Sequence, residues 1–127
     1  MAQLPLNVFK TKTAILTTNT TATVYTAPIG VTSIILMTQI SNIDTSTHAV
    51  TFCHHRNLPI LPNAQGTGGQ DANVTTELVV GYLIPPNDAG SMTTGKMIIE
   101  QLDSIICYAD APGVMKLTLS VLETANA

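Results

Sequence analysis

Residues 51–57, TFCHHRN, gather Cys53, the adjacent histidines His54 and His55, and the single arginine of the chain, Arg56. Cysteine and histidine ligate transition metals, and a thiol beside an imidazole can serve as nucleophile and base. Both chemistries demand a geometry. A β-strand turns successive side chains to opposite faces. On a strand, Cys53 and His55 share one face while Phe52 and His54 share the other, so the two histidines cannot reach one ion. A zinc site needs three or four ligands, and Cys53 with His55 would need Cys107 or a distant carboxylate that no spacing motif supplies. A Cys–His hydrolase fails on the same alternation, because Cys53 and His54 point apart and nothing marks an oxyanion hole. The expectation is structural: Cys53 packs as a small hydrophobe, and the histidines face solvent or a neighbouring subunit.

Two other stretches are weighed the same way. Glu100 and Asp103 could form an acid/base pair, but a strand end followed by a turn aspartate accounts for them. GTGG at 66–69 lacks the Lys-Ser/Thr that completes a phosphate-binding loop, and it reads as a loop tip. No catalytic, cofactor-binding or metal-ligating residue is assigned, and no cofactor is expected.

The elements that carry these residues are all strands. Apolar residues recur at period two, and no convincing helical period appears. Residues 8–16 put Phe9, Thr11, Thr13 and Ile15 on one face and Lys10 and Lys12 on the other. A short strand is expected at 22–26. Pro28 and Gly30 then suit the second and fourth positions of a type I turn. Residues 31–43 form the longest strand, apolar on both faces at its centre (Ile34, Ile35, Leu36, Met37). Such a centre lies on the core with one face and against something else with the other. A polar turn at 44–47 leads to a returning strand at 48–56. Further strands are expected at 74–84, 96–101, 104–109 and 114–123, with turns at 85–91 and 110–113. About eight strands at these spacings fit one all-β domain over 1–127, an antiparallel sandwich of jelly-roll type.

The region 57–73 carries prolines and glycines without a regular pattern, and is the longest loop. Leu58, Ile60 and Leu61 sit among Pro59 and Pro62, which stiffen the segment. These aliphatics are expected at an interface, as a docking arm on a neighbouring subunit or particle, with an open end of the chain's own sandwich as the other possibility. Ile35 and Met37 of the long strand are expected at an interface as well.

Composition agrees with a packing role. Of 127 residues only 10% are charged, 45% are hydrophobic, and the formal net charge is −3. An average domain is roughly 25% charged. About one residue in six is threonine, a β-former suited to half-exposed pleated surfaces. The basic residues are scattered, so nucleic acid is not an expected partner. No apolar run approaches the roughly 20 residues of a membrane helix, so no membrane is expected either. The start of the chain lacks the pattern of a secretory signal. A reducing compartment and free thiols at Cys53 and Cys107 are therefore expected.

Three longer stretches carry a resemblance: TKTAILTTNTTATVYTAPIGVTSIILMTQISNIDTSTHAVTF, TELVVGYLIPPNDAGSMTTGKMIIEQLDSI and MKLTLSVLET. The order is an opening strand, a Tyr-Thr-x-Pro-x-Gly turn, a long apolar strand ending in Asn, an Ile-Pro turn, a Gly-Lys strand, an acidic turn and a closing Ser-x-Leu-Glu strand. It resembles small virion structural proteins of tailed bacteriophages, of the T4-like cyanophage type. The resemblance implies a non-enzymatic protein made in the host cytoplasm and located in the virion. It implies a capsid decoration protein that binds the particle as a homo-oligomer, a trimer by family analogy. Its partners would be the major capsid protein or tail proteins. A small tail or baseplate component is the alternative, as is a glycan-binding sandwich, although the absence of Trp and the few Tyr and Phe disfavour sugar stacking. A cupin-type metal enzyme would need more converging His and Glu than the chain carries.

Overall fold

The computed structural model describes residues 7–57 and 74–125. Leu58, Ile60 and Leu61, and with them nearly all of the loop expected at 57–73, lie outside the described residues. The described residues form nine strands and no helix: β1 (Asn7–Ile15), β2 (Thr23–Thr26), β3 (Val31–Asn42), β4 (His48–His55), β5 (Thr75–Ile84), β6 (Ala89–Gly90), β7 (Met97–Ile99), β8 (Ser104–Ala109) and β9 (Met115–Ala125).

They make two antiparallel sheets. Sheet A runs β1-β9-β3-β6, with β7 also paired to β3, and sheet B runs β2-β8-β4-β5. The chain crosses between sheets at most connections, and each sheet interleaves early with late strands. That is the wrapped order of a jelly roll. The all-β, antiparallel sandwich expected from period-two patterning is therefore present. The inner faces bury Ile35, Ile40, Leu117, Leu119 and Val121 from sheet A against Val50, Phe52, Ile105 and Cys107 from sheet B.

Strand β6 was hidden inside the expected turn at 85–91. It pairs with β3 through Ile40 opposite Gly90 and Ser41 opposite Ala89. Gly90 lets the Tyr82 ring approach closely: a Cβ there would come within 2.9 Å of Tyr82 Cε2, and the ring would have to shift. The turn before β3 also differs from expectation. The Val31 N–H donates to the Pro28 carbonyl at 3.2 Å, and Gly30 has φ 76°. Gly30 is thus the third residue of the turn, where a type II geometry needs positive φ, and not the fourth residue of a type I turn.

Strand β3 explains its own doubly apolar centre. Its register against β9 shifts between Ile35 and Met37. The inserted residue, Leu36, is the extra residue of a bulge, which resets the alternation. Ser33 and Ile35 point inward before the bulge, and Thr38, Ile40 and Asn42 point inward after it. Ile35, expected at an interface, is 0% exposed in the chain's own core, whereas Met37 is 38% exposed on the outside. A bulge permits both, because it changes which residue parity faces the core.

Candidate functional site

Strand β4 carries most of TFCHHRN, and its pairing with β8 runs without a shift from Val50 to His55. Strict alternation therefore holds. Phe52 lies in the core between the sheets while Cys53 stands outside that cluster. His54 Nε2 lies 3.2 Å from Asp103 Oδ2, and His55 Nδ1 lies 2.7 Å from Thr75 Oγ1. The opposed facing of the two histidines is as the sequence implies. The expectation that both face solvent or a neighbour is corrected for His54, which is tied to a buried aspartate.

Asp103 is the centre of that end of the strand. It is 0% exposed. Besides His54 it accepts the Asn57 backbone N–H at 3.1 Å, and Arg56 Nη1 stands 3.6 Å away. Arg56 Nη1 also donates to Glu100 Oε2 at 3.0 Å. Leu102, with φ 67°, turns the chain so that this carboxylate points inward. A buried carboxylate is tolerated only when cations and N–H groups surround it. Glu100 and Asp103 are thus counter-ions of one cluster, and the sole arginine is their bridge.

The two thiols take no part in the hydrogen bonds and ion pairs of this cluster. Cys53 and Cys107 are both free and buried. Burial raises the thiol pKa of Cys53 and pushes that of Cys107 up to about 12. Both thiols stay protonated near neutral pH, the unreactive form. They occupy opposite faces of sheet B, so they cannot bridge. Among the described residues no group of three or more His, Cys, Asp or Glu could hold a metal ion.

Two further polar clusters escaped the sequence reading. At the opposite end of β4, His48 lies between two aspartates: Nε2 is 2.7 Å from Asp44 Oδ2 and Nδ1 is 2.7 Å from Asp110 Oδ1. Serving two carboxylates at once requires the imidazolium, since a neutral ring has one donor. Hydrogen bonds donated to Asp44, and then to Asp110, raise the His48 pKa. The His48 bond, with the Thr45 N–H, lowers that of Asp44. Desolvation would raise the Asp110 pKa, but the Ala49 N–H and His48 hold it below the usual carboxylate range. The signal was an aspartate four residues before a histidine across a turn, which is legible only when Asp110 is known to be near.

The second cluster links the sheets. Tyr25 O–H donates to Glu123 Oε2 at 2.6 Å, with Ser33 Oγ also 2.6 Å from the phenol oxygen. Lys10 Nζ closes it, 3.0 Å from Glu123 Oε1. Desolvation raises the Tyr25 pKa, and hydrogen bonding to the Glu123 carboxylate raises it further. Desolvation alone would raise the Glu123 pKa, yet the Tyr25 hydroxyl and Lys10 hold it low. A shallow cleft of about 280 Å³ opens here between β1 and β2. Lys10, Glu123 and Tyr25 at its wall are engaged with one another, and Lys12 lines it beside them.

Exposed apolar side chains gather on β5 (Leu78, Val80, Tyr82 and Leu83) and on the outer face of sheet A. Phe9 lies opposite Leu122, Leu122 opposite Ile34, and Ile34 opposite Ile98. These four make one apolar row across β1, β9, β3 and β7. Phe9 is 73% and Ile98 63% exposed. Next to it, Thr11, Ser120 and Met37 form a second row, and Thr13, Thr118 and Gln39 a third. Lys116, opposite Ile15, is the one charged side chain on the outer side of these strands among the described residues. Hydrophobicity alone would aim Phe9 and Ile15 inward. Instead Lys10 and Lys12 take the inner side of β1, and Lys10 meets Glu123 there.

Compared with family models, curated proteins and solved structures, the chain finds no match.

Proposed function

We propose that this protein is a non-enzymatic structural component of a tailed-phage virion, a capsid decoration protein that binds the assembled particle as a multimer. The observation that carries the reading is the outer face of sheet A, an apolar row flanked by Thr, Ser, Gln and Met with a single charge at its end. Depletion of charge with enrichment of aromatic, aliphatic and Met side chains is the composition of interface cores. The His-containing clusters support a structural role, because each side chain in them is matched by a counter-ion or main-chain partner within the fold. Jelly rolls occur in capsid proteins, lectins and cupins alike, so the fold by itself favours none of them. Against a lectin reading, Tyr25 is buried in its cluster, and aromatic platforms are few. The sequence resemblance supplies the particle.

The test is localisation. Particles of the encoding phage, purified and probed by mass spectrometry and electron microscopy, are expected to carry the protein in regular array on the head. A regular position on the tail or baseplate would move it to the alternative site. Its absence from intact particles would overturn the reading.

A further inference from the structure

Two of the chain's five basic residues stand together on the inner side of β1. Lys10 lies opposite Val121 and Lys12 opposite Leu119, which are core residues of β9. Both lysines are therefore on the sandwich side of the strand, with Cα atoms roughly 7 Å apart. Both line the cleft between β1 and β2, together with Thr23, Tyr25 and Glu123. Glu123 is the one carboxylate there among the described residues. Both its oxygens are taken, Oε1 by Lys10 at 3.0 Å and Oε2 by Tyr25 at 2.6 Å. Among the described residues no other carboxylate pairs with Lys12. The cleft thus sets two ammonium groups against one carboxylate, a local surplus of one positive charge in a chain of formal net charge −3. Folding accounts for Lys10, the counter-ion of a buried carboxylate. It does not require Lys12, whose charge exceeds what Glu123 can neutralise.

We propose that the cleft between β1 and β2 binds a carboxylate, with the Lys12 ammonium as its counter-ion and Lys10 as a second donor. An ammonium has three donors and no acceptor. Lys12 has all three to offer, and Lys10 has two besides the one given to Glu123. The group that completes the cleft therefore accepts hydrogen bonds and carries negative charge. An ionised carboxyl group has one charge and acceptors only, and that charge equals the surplus. A phosphate monoester carries about −1.5 to −2 near neutral pH, and its excess would be repelled by Glu123 across the cleft. The volume of about 280 Å³ lies at the small end of ligand sites. It gives room for one acid group on a short stem. An acidic side chain and the C-terminus of a partner protein both present such a group. Inward lysines also block strand addition at a sheet edge, a role that needs the charge but no ligand.

Amide NMR of the full chain reads binding directly, with sodium acetate exchanged for sodium chloride at constant ionic strength. Saturable shifts at residues 11–13 and 23–26 are expected, in the millimolar range. Lys12→Gln, at an exposed position, should weaken binding about fivefold or more with an unchanged thermal melt. Lys116→Gln, on the outer side of the sheet, should leave it unaltered. Two short peptides then separate the sources. One is blocked at both ends and carries a single Glu; the other has no acidic side chain and a free C-terminus. The peptide that binds more tightly names the source. The proposal falls if the shifts do not saturate, if Lys12→Gln keeps the affinity of the native chain, if inorganic phosphate binds more tightly than acetate, or if neither peptide binds. An edge-guarding role alone predicts no saturation with acetate and self-association of the Lys12→Gln variant.

Discussion

The two ends of strand β4 use the same residue types in opposite ways. At one end a cation, His48, lies between two partly exposed aspartates. At the other an anion, Asp103, is sealed among His54, Arg56 and the Asn57 N–H. Water can replace either partner of His48 when its bond breaks. It cannot readily reach Asp103, which is 0% exposed. Burial, not the number of ionic contacts, decides which end is structurally critical. An exposed pair contributes about 0–1 kcal/mol. Removing one member of a buried pair is destabilising by about 3–5 kcal/mol, because the remaining charge is left without a counter-ion.

Three substitutions test that contrast. Asp103→Ala should have the largest effect, a loss of about 3 kcal/mol in urea unfolding, since His54 and the Asn57 N–H lose their acceptor and Arg56 keeps only the exposed Glu100 as counter-ion. A loss under about 1 kcal/mol would mean that solvent enters this end freely, and the contrast would collapse. Arg56→Ala comes next, at about 1–2 kcal/mol, because Asp103 keeps His54 and a backbone donor. The double variant should lose less than the sum of the two single losses, as expected for residues sharing one network.

The smallest effect is expected at the His48 end, and it should appear as a pH dependence. The folded His48 pKa is raised, so its contribution is fully present below the ordinary histidine value of about 6.5 and is lost as pH rises through the higher folded value. The Asp44 and Asp110 pKa values are lowered, so their contribution is present above the ordinary carboxylate value of about 3.9 and disappears as pH falls through the lower folded values. Stability should therefore peak in mildly acidic solution. In His48→Gln the decline on the alkaline side of that peak should vanish, as followed by thermal melts across pH. An unchanged profile in this variant would assign the dependence to other groups.

Much of the architecture is legible in one dimension. The expected strands at 8–16, 31–43, 48–56, 74–84 and 104–109 lie within a residue or two of β1, β3, β4, β5 and β8. Alternation is a local consequence of backbone pleating and needs no tertiary information. The same reasoning separated Cys53 from His54 correctly. Strand β6 was not legible, because two residues have no period and exist as a strand only through pairing with β3.

The sequence by itself determined the all-β class, the strand spacing, the low charge and the separation of the reactive residues of TFCHHRN. Each follows from composition or from a period of two along the chain. Only the tertiary structure decided which face of each strand turns inward. Phe9 faces out because Lys10, on the other side, finds the buried Glu123 carboxylate held by Tyr25. Ile35 faces in because a bulge at Leu36 resets the parity of β3. His48 meets Asp110 because β4 and β8 are neighbours in sheet B, although they are far apart in sequence. Periodicity states that two faces differ. Which of them is buried depends on partners that the fold alone brings together.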